Sequence, residues 1–287
     1  MKLHFMKYRK LSYWISGALV ILSVLMLLFK GLNYGIDFAG GISMEVTPVN
    51  ADFTIDKMRS ELAQFSPELQ EIDGNAILVR VGLPKGSTDT MQNERVREIK
   101  DILGENVKYD QVQIVGPKIG GELVRGGIWA ILVSFMLMSV YIWIRYRGGY
   151  AVGSFVSLLL DFVLMFGFFS IMGLEFNQTA IAVILMGIGY SINDKVVNYD
   201  RIDENIKKYH KMPMDDLIDL SVNEMLSRTL RTSISTILAL VGLYIFGGQL
   251  LQEFAIAMTF SIVMGTLTSI YISNVILYHF NLRETKY

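Results

Sequence analysis

Six apolar stretches, at about 11–33, 126–144, 149–172, 177–199, 231–248 and 254–280, constrain this chain more than any other feature. Each is long enough for the roughly 20 helical residues that cross a hydrocarbon layer about 30 Å thick. Residues 126–144, 232–252 and 254–282 contain no Asp, Glu, Lys or Arg. No water reaches the interior of a bilayer, so each backbone N–H and C=O must find its partner inside the segment, and such runs fold as helices. A soluble domain is about a quarter charged; here 18% of the 287 residues are charged and 52% are hydrophobic. The first stretch is long and ends in Lys30-Gly31-Leu32-Asn33, without a small-x-small cleavage site, so it is expected to stay as an anchor.

Several function classes fall away at once. The chain has no cysteine, which removes disulfides, thiol catalysis and thiolate metal sites together. His4, His210 and His279 are too scattered for a metal cluster, and no cofactor is expected. A formal net charge of -1 offers nothing to steer nucleic acid. The basic residues set the orientation instead, since they are retained on the cytoplasmic side. Lys2, Lys7, Arg9 and Lys10 precede the first stretch, and Arg145 and Arg147 separate the second from the third. Arg201, Lys207, Lys208, Lys211 and Arg228 lie between the fourth and fifth; Arg283 and Lys286 follow the sixth. The alternate connections, 173–176 and 248–253, have no Lys or Arg. Both termini are therefore expected in the cytoplasm, with 1–33 forming the N-terminus and first span and 34–125 lying outside. Residues 126–287 then form the other five spans, with a cytoplasmic loop over 200–230.

The external segment is mildly acidic, with 15 acidic and 10 basic side chains over 34–125. Its pattern predicts strand 42–48, helix 54–65, strand 69–73, strand 76–82, helix 88–103 and strand 107–115. Ile55, Met58, Leu62 and Phe65 recur at helical spacing, as do Met91, Val96, Ile99 and Leu103. Ile77, Val79 and Val81 alternate like a strand, and Asp73-Gly74-Asn75 supplies the turn before them. The order βαββαβ is that of a ferredoxin-like α+β sandwich. Gly116-Pro117 and Gly120-Gly121 then break the chain ahead of the second span.

Ionisable groups inside spans cost about 2.5–3.5 kcal/mol for Asp on insertion scales, so each requires a reason. Asp161 falls in mid-span. Asp194 lies about 24 Å into the fourth span at 1.5 Å per residue, and Arg228 and Arg231 open the fifth at a similar depth. An Asp194–Arg228 pair is geometrically possible. Gly187, Ser191, Asp194 and Asn198 share one helix face; Thr229, Thr232 and Thr236 share another, and Ser261, Gly265, Ser269 and Ser273 a third. Together they are expected to form a polar seam. Plainer readings stand beside this one. Small and hydroxyl stripes also serve simple helix packing. Asp194 also fits the end of a span with Lys195 snorkelling to the surface, and Arg228 and Arg231 fit plain positive-inside anchors.

The motifs Gly35-Ile36-Asp37-Phe38-Ala39-Gly40-Gly41, Val115-Gly116-Pro117-Lys118-Ile119-Gly120 and Tyr190-Ser191-Ile192-Asn193-Asp194-Lys195-Val196-Val197 follow one another in that order. Asp200-Arg201-Ile202-Asp203-Glu204-Asn205, Arg228-Thr229, Thr232-Ser233 and Phe246-Gly247-Gly248 complete the series. Over nearly its whole length the chain resembles the SecD/SecF family of protein-export membrane proteins, in its SecF branch, within the RND-type transporter superfamily. The resemblance implies no enzyme activity. It implies a SecD partner completing a twelve-span SecDF complex in the cytoplasmic (inner) membrane, association with the SecYEG channel and YajC, and use of the proton-motive force on a translocating preprotein. It places Asp194 and Arg228 in the proton pathway. Asp161 joins them as a candidate from its depth. Lys195 stands where the family usually has a small or hydroxyl residue, and Leu160 where many members have His. An intramembrane aspartyl protease built on Asp161 and Asp194 lacks its Gly-x-Gly-Asp signature. A non-catalytic structural subunit of a translocase or RND-like transporter is the competing reading.

In this cysteine-free chain, single cysteines at 85 and 210 test the topology. An impermeant maleimide added to spheroplasts is expected to label 85 alone, and labelling of 210 would overturn the six-span orientation.

Overall fold

The computed structural model describes residues 3–50, 53–72, 76–84, 87–146, 148–280 and 282, with backbone alone at 72, 89, 117–118 and 248–250. The expected turn at Asp73-Gly74-Asn75, the labelling position 85, and Lys2, Arg147, Arg283 and Lys286 lie outside the described residues. In chain order the elements are α1 (Arg9–Phe29), β1 (Asn33–Tyr34), α2 (Ile36–Ala39), β2 (Gly41–Pro48), α3 (Ile55–Glu61), β3 (Glu68–Ile72), β4 (Ala76–Gly82), α4 (Asp89–Leu103) and β5 (Val107–Val115). There follow α5 (Pro117–Arg145), α6 (Gly149–Met172), β6 (Glu175–Phe176), α7 (Gln178–Lys208), α8 (Met214–Phe246), α9 (Gly248–Thr268), a π-helical turn (Ser269–Ser273) and α10 (Asn274–Leu277). Among the described residues, six helical stretches are long and apolar enough to cross a membrane, making this a multi-pass membrane protein.

The chain divides into two compact units. One comprises 34–129 with 175–178. Its sheet has the antiparallel order β3-β4-β2-β5, which with α3 and α4 is the ferredoxin-like βαββαβ arrangement. Alternation puts Ile42, Met44 and Val46 of β2, each fully buried, on one face beside Ile77, Val79 and Val81 of β4. Met58 of α3, Leu62 just after it, and Val96, Ile99 and Leu103 of α4 cover that face. The helix expected over 54–65 is α-helical only to Glu61; a 3-10 turn over Ala63–Phe65 follows, and Ser66 reverses the chain at φ 47°. Arg80, on β4, is buried and paired with Glu175, an ion pair that the strand pattern did not suggest.

The other unit comprises 1–33, 130–174 and 179–287. α1 packs on α6, where Gly167 leaves room for Ser23 and Ser170 Oγ donates to Met26 C=O at 3.0 Å. Between 200 and 230 the chain is helical except for 209–213. α7 and α8 thus run well past their apolar stretches, and the two extensions hold one another. Arg201 Nε donates to Glu224 Oε2 at 2.6 Å, and Asn205 Nδ2 donates to Ser221 Oγ at 2.9 Å. Leu217, Ile218 and Val222, at most 1% exposed, form the apolar stripe that keeps α8 helical there. The N-terminal segment is tied to the same helix, with Met6 N–H donating to Asp219 Oδ1 at 2.9 Å and Leu3 N–H to Asn223 Oδ1 at 2.9 Å.

Residues 34–125 expressed alone are expected to unfold in one cooperative urea transition. Leu62→Ala, which empties part of this core, is expected to lower the stability of that fragment by about 2–5 kcal/mol. A featureless melt of the parent fragment would contradict an independent core.

Candidate functional site

Two carboxyl groups lie inside apolar helices, and the bundle holds them differently. Asp161 sits midway along α6, about 18 Å from its start at 1.5 Å per residue. Lys195 Nζ, on α7, donates to Asp161 Oδ2 at 2.9 Å, with side chains 0% and 8% exposed. Ser191 Oγ donates to the same oxygen at 2.6 Å, while the Thr268 hydroxyl of α9 donates to Oδ1. Three helices therefore converge on one carboxylate. Taking an ion out of water costs several kcal/mol, which an opposite charge and a full set of hydrogen bonds offset. Lys195 does not snorkel; its ammonium is wholly buried against Asp161 and Ser191.

Asp194, one residue earlier on α7, faces the other neighbours. It is 3% exposed, and its Oδ2 accepts from Thr266 Oγ1 of α9 at 3.2 Å. Thr266 in turn shares a hydrogen bond with Ser233 Oγ of α8 at 3.0 Å. Among the described residues no ion pair joins Asp194 to a cation. Arg228 is exposed on α8. Arg231 is exposed too, bonded to Ser227 Oγ at 2.7 Å. Asn193 is exposed.

The seam that carries these groups is a close approach of α7 and α9. Gly187 lies against Ser261, where a Cβ would collide with the Ser261 hydroxyl. One turn on the roles reverse, and a Cβ on Gly265 would stand 3.0 Å from the Ser191 Cβ. Asn198 Nδ2 then donates to Ser269 Oγ at 3.1 Å, and the Tyr199 and Ser273 hydroxyls pair. The two four-residue stripes seen in the sequence thus meet each other. Thr266 and Thr268 flank that row on opposite sides, toward α8 and α6 respectively, and a strict four-residue reading passes over both. Their signal was a hydroxyl adjacent to a stripe position rather than on it. The Thr229-Thr232-Thr236 stripe behaves otherwise: Thr232 and Thr236 bond carbonyls of their own helix at 2.9 and 3.0 Å. Ser233 is the α8 residue that reaches across.

The glycine motifs serve close packing in the α/β unit. A Cβ on Gly35 would strike the Glu175 carboxylate, and Gly35 N–H donates to Phe176 C=O at 3.0 Å. Asp37 Oδ2 accepts from Gln178 N–H at 3.2 Å, satisfying a donor at the start of α7. Gly40 takes φ 72°, open to glycine at little cost, and Gly41 lies too near the Val81 carbonyl for a side chain. Gly116 packs on Gln92, and Pro117 occupies the first position of α5, where its missing N–H costs nothing. At the far end of α7, Asp200 Oδ1 accepts from Arg145 Nη2 at 2.7 Å and from the Tyr146 hydroxyl at 2.8 Å. Burial, and then that bond to Asp200, push the Tyr146 phenol above its usual range, so it remains a neutral donor. Arg201 bonds Glu224 and Glu204. Within the membrane-spanning unit, Asp200 and Arg201 tie α7 to its neighbours.

Comparison with known proteins bears on what such a bundle does. Residues 95–283 match the family described as protein export membrane protein SecD/SecF, C-terminal, and residues 26–50 match the SecD/SecF GG motif. The chain is 40% identical over 281 residues to protein translocase subunit SecF of Rickettsia conorii, covering 95% of this chain and 90% of the relative. It is 33% identical to that of Haemophilus influenzae over 98% of this chain and 86% of the relative. Among solved structures it superposes on SecDF, a translocon-associated membrane protein from Thermus thermophilus, with a TM-score of 0.86 and 30% identity. That alignment covers 96% of this chain and 38% of the SecDF chain.

Removing Lys195 alone strands a buried carboxylate. Lys195→Met is expected to destabilise the protein by about 3–5 kcal/mol. Lys195→Met with Asp161→Leu, which removes both charges, is expected to recover most of the loss. Thermal unfolding in detergent micelles compares the two; equal destabilisation would refute the pairing.

Proposed function

The chain belongs to the SecD/SecF family of protein export membrane proteins, and on that premise we propose that it is the SecF-type subunit of a proton-driven accessory complex of the Sec translocase. In this reading it pairs with a SecD-like six-span partner, works beside the SecYEG channel and YajC in the cytoplasmic membrane, and uses the proton-motive force to move preproteins outward. Both termini then face the cytoplasm, and residues 34–125 meet the emerging chain outside. The membrane-spanning unit leaves a large apolar surface for lipid or for that partner: Leu132, Met136, Leu137 and Ile144 of α5 and Ile234 and Leu238 of α8 are all exposed.

The observation that carries the proposal is the setting of Asp194. It is buried within a membrane helix, and its hydrogen-bond partner among the described residues is a hydroxyl. A hydroxyl both donates and accepts. Thr266 can therefore serve the carboxylate by donating to it, or serve the carboxylic acid by accepting from it while donating onward to Ser233. Asp161 also accepts from two hydroxyls, of Ser191 and Thr268, but unlike Asp194 it is bonded as well to an ammonium, which only donates. Proton gain and loss at Asp194 reverses the Asp194–Thr266–Ser233 chain and changes how α7, α8 and α9 bind one another. Arg228 carries a positive charge on α8, so a movement of α8 changes how near that charge stands to Asp194. The membrane potential supplies about 2.3 kcal/mol per elementary charge for each 100 mV. That shifts a two-state equilibrium without completing it, since a full swing takes about 5.5 kcal/mol.

Asp194→Asn keeps shape but cannot titrate. Inverted membrane vesicles carrying it with its partner are expected to assemble the complex and lose proton-dependent preprotein export by tenfold or more. Arg228→Ala is expected to fail similarly and Arg231→Ala to be mild. Wild-type export by Asp194→Asn would promote the structural-subunit reading.

A further inference from the structure

Residues 3–8, just ahead of α1, form a strap against the start of α8. Beside the Met6 and Leu3 bonds to Asp219 and Asn223, Asn223 Nδ2 donates back to Leu3 C=O at 2.7 Å. His4 Nδ1 stands 3.6 Å from Asp219 Oδ2, and the buried Phe5 ring meets that of Tyr271 edge-on at 5.6 Å. Between this strap and the first two turns of α8 is a cavity of about 500 Å³. That volume falls within the roughly 300–1,000 Å³ of small-molecule sites. Neither buried carboxyl of the α7–α9 seam lines it.

The lining is charged, and its charges balance. Lys7, Arg9 and Lys10 come from the strap and the first turn of α1, and Asp215, Asp216 and Asp219 from α8. Asp219 is occupied by Met6 N–H and His4, and the Arg9 guanidinium lies over the Tyr278 ring at 4.5 Å. Lys7, Lys10, Asp215 and Asp216 form no ion pair and no side-chain hydrogen bond among the described residues. Two ammonium groups and two carboxylates thus line one space without meeting, which leaves both signs available to a molecule that complements them. The cavity also lies at the edge of the apolar layer, since the first apolar run begins at Leu11, directly after Lys10. Leu11, Trp14 and Ile15 are 54%, 80% and 51% exposed, and tryptophan is enriched at the level of lipid headgroups. Lys10 and Trp14, four residues apart on α1, share a helix face.

We propose that this cavity binds the headgroup of a phospholipid whose phosphate carries a primary ammonium, phosphatidylethanolamine, in the leaflet on the side of the N-terminus. Lys7 and Lys10 meet the phosphate. Asp215 and Asp216 accept from the ammonium, which like that of a lysine offers three N–H donors. The acyl chains run past Leu11, Trp14 and Ile15. A phosphatidylglycerol headgroup brings only negative charge to a space that holds two free carboxylates, and such repulsion is a source of specificity. A choline headgroup has the positive charge but no N–H to donate. The site does not depend on the export reading.

The full chain, stripped of lipid in detergent, is titrated with phosphatidylethanolamine, phosphatidylcholine and phosphatidylglycerol of identical acyl chains, and bound lipid is counted by native mass spectrometry. The ethanolamine lipid is expected to bind about tenfold more tightly than either of the others. Equal binding of all three, or a preference for phosphatidylglycerol, overturns the proposal. Asp215→Asn with Asp216→Asn is expected to abolish the preference while leaving thermal unfolding unchanged; a preference that survives overturns the site. Lys7→Gln with Lys10→Gln is expected to weaken binding of the ethanolamine lipid about tenfold, and undiminished binding counts equally against it. Soluble glycerophosphoethanolamine, the same headgroup without acyl chains, is expected to compete about a hundredfold more weakly than the lipid. Equal competition would make the ligand a soluble phosphate ester and overturn the membrane assignment.

Discussion

α7 carries Asp194 and Asn198 through an apolar layer because α9 and the π-helical turn after it come close enough to answer them, while its Lys195 is answered by Asp161 of α6. Gly187 and Gly265 make that approach possible, each receiving a serine of the facing helix where any side chain would collide. Helices in a bilayer gain nothing from hiding apolar surface from lipid, so packing and interhelical hydrogen bonds must hold them. Once the two backbones are close, Thr266, Thr268, Ser269 and Ser273 fall within reach of α7 and α6.

The close approach also separates the two carboxyls in kind. Successive residues on a helix point about 100° apart, so Asp194 and Lys195 face different neighbours. Lys195 turns to Asp161 and closes a neutral pair, while Asp194 turns to a hydroxyl chain. An ion-paired lysine and a carboxyl bonded to a hydroxyl thus stand next to each other on one helix. In the α/β unit, Arg80 and Glu175 form an ion pair of their own, joining β4 to the segment just ahead of α7.

Legibility followed from the range of the interactions. The alternation of Ile77, Val79 and Val81 and the spacing of Met58 with Leu62 are local, and strands and helices appear where those patterns placed them. Helix ends were less legible. α8 begins at Met214 rather than near 231, because Leu217, Ile218 and Val222 give a soluble amphipathic stripe that an apolar-run reading does not count.

Six apolar runs, the order βαββαβ, the buried position of Asp161 and Asp194 and the two small-residue stripes were determined by the sequence alone, since burial in lipid and period along a helix are properties of one segment. Partner choice was decided by the tertiary structure. Lys195 pairs with Asp161 and not with solvent; Arg228 stays at the surface of α8; Ser233, and neither Thr232 nor Thr236, crosses to α9. Each of these depends on the rotation and distance of helices far apart in the chain. A hydroxyl one position off a stripe is indistinguishable in sequence from one that bonds its own backbone, and only the neighbouring helix settles which it does.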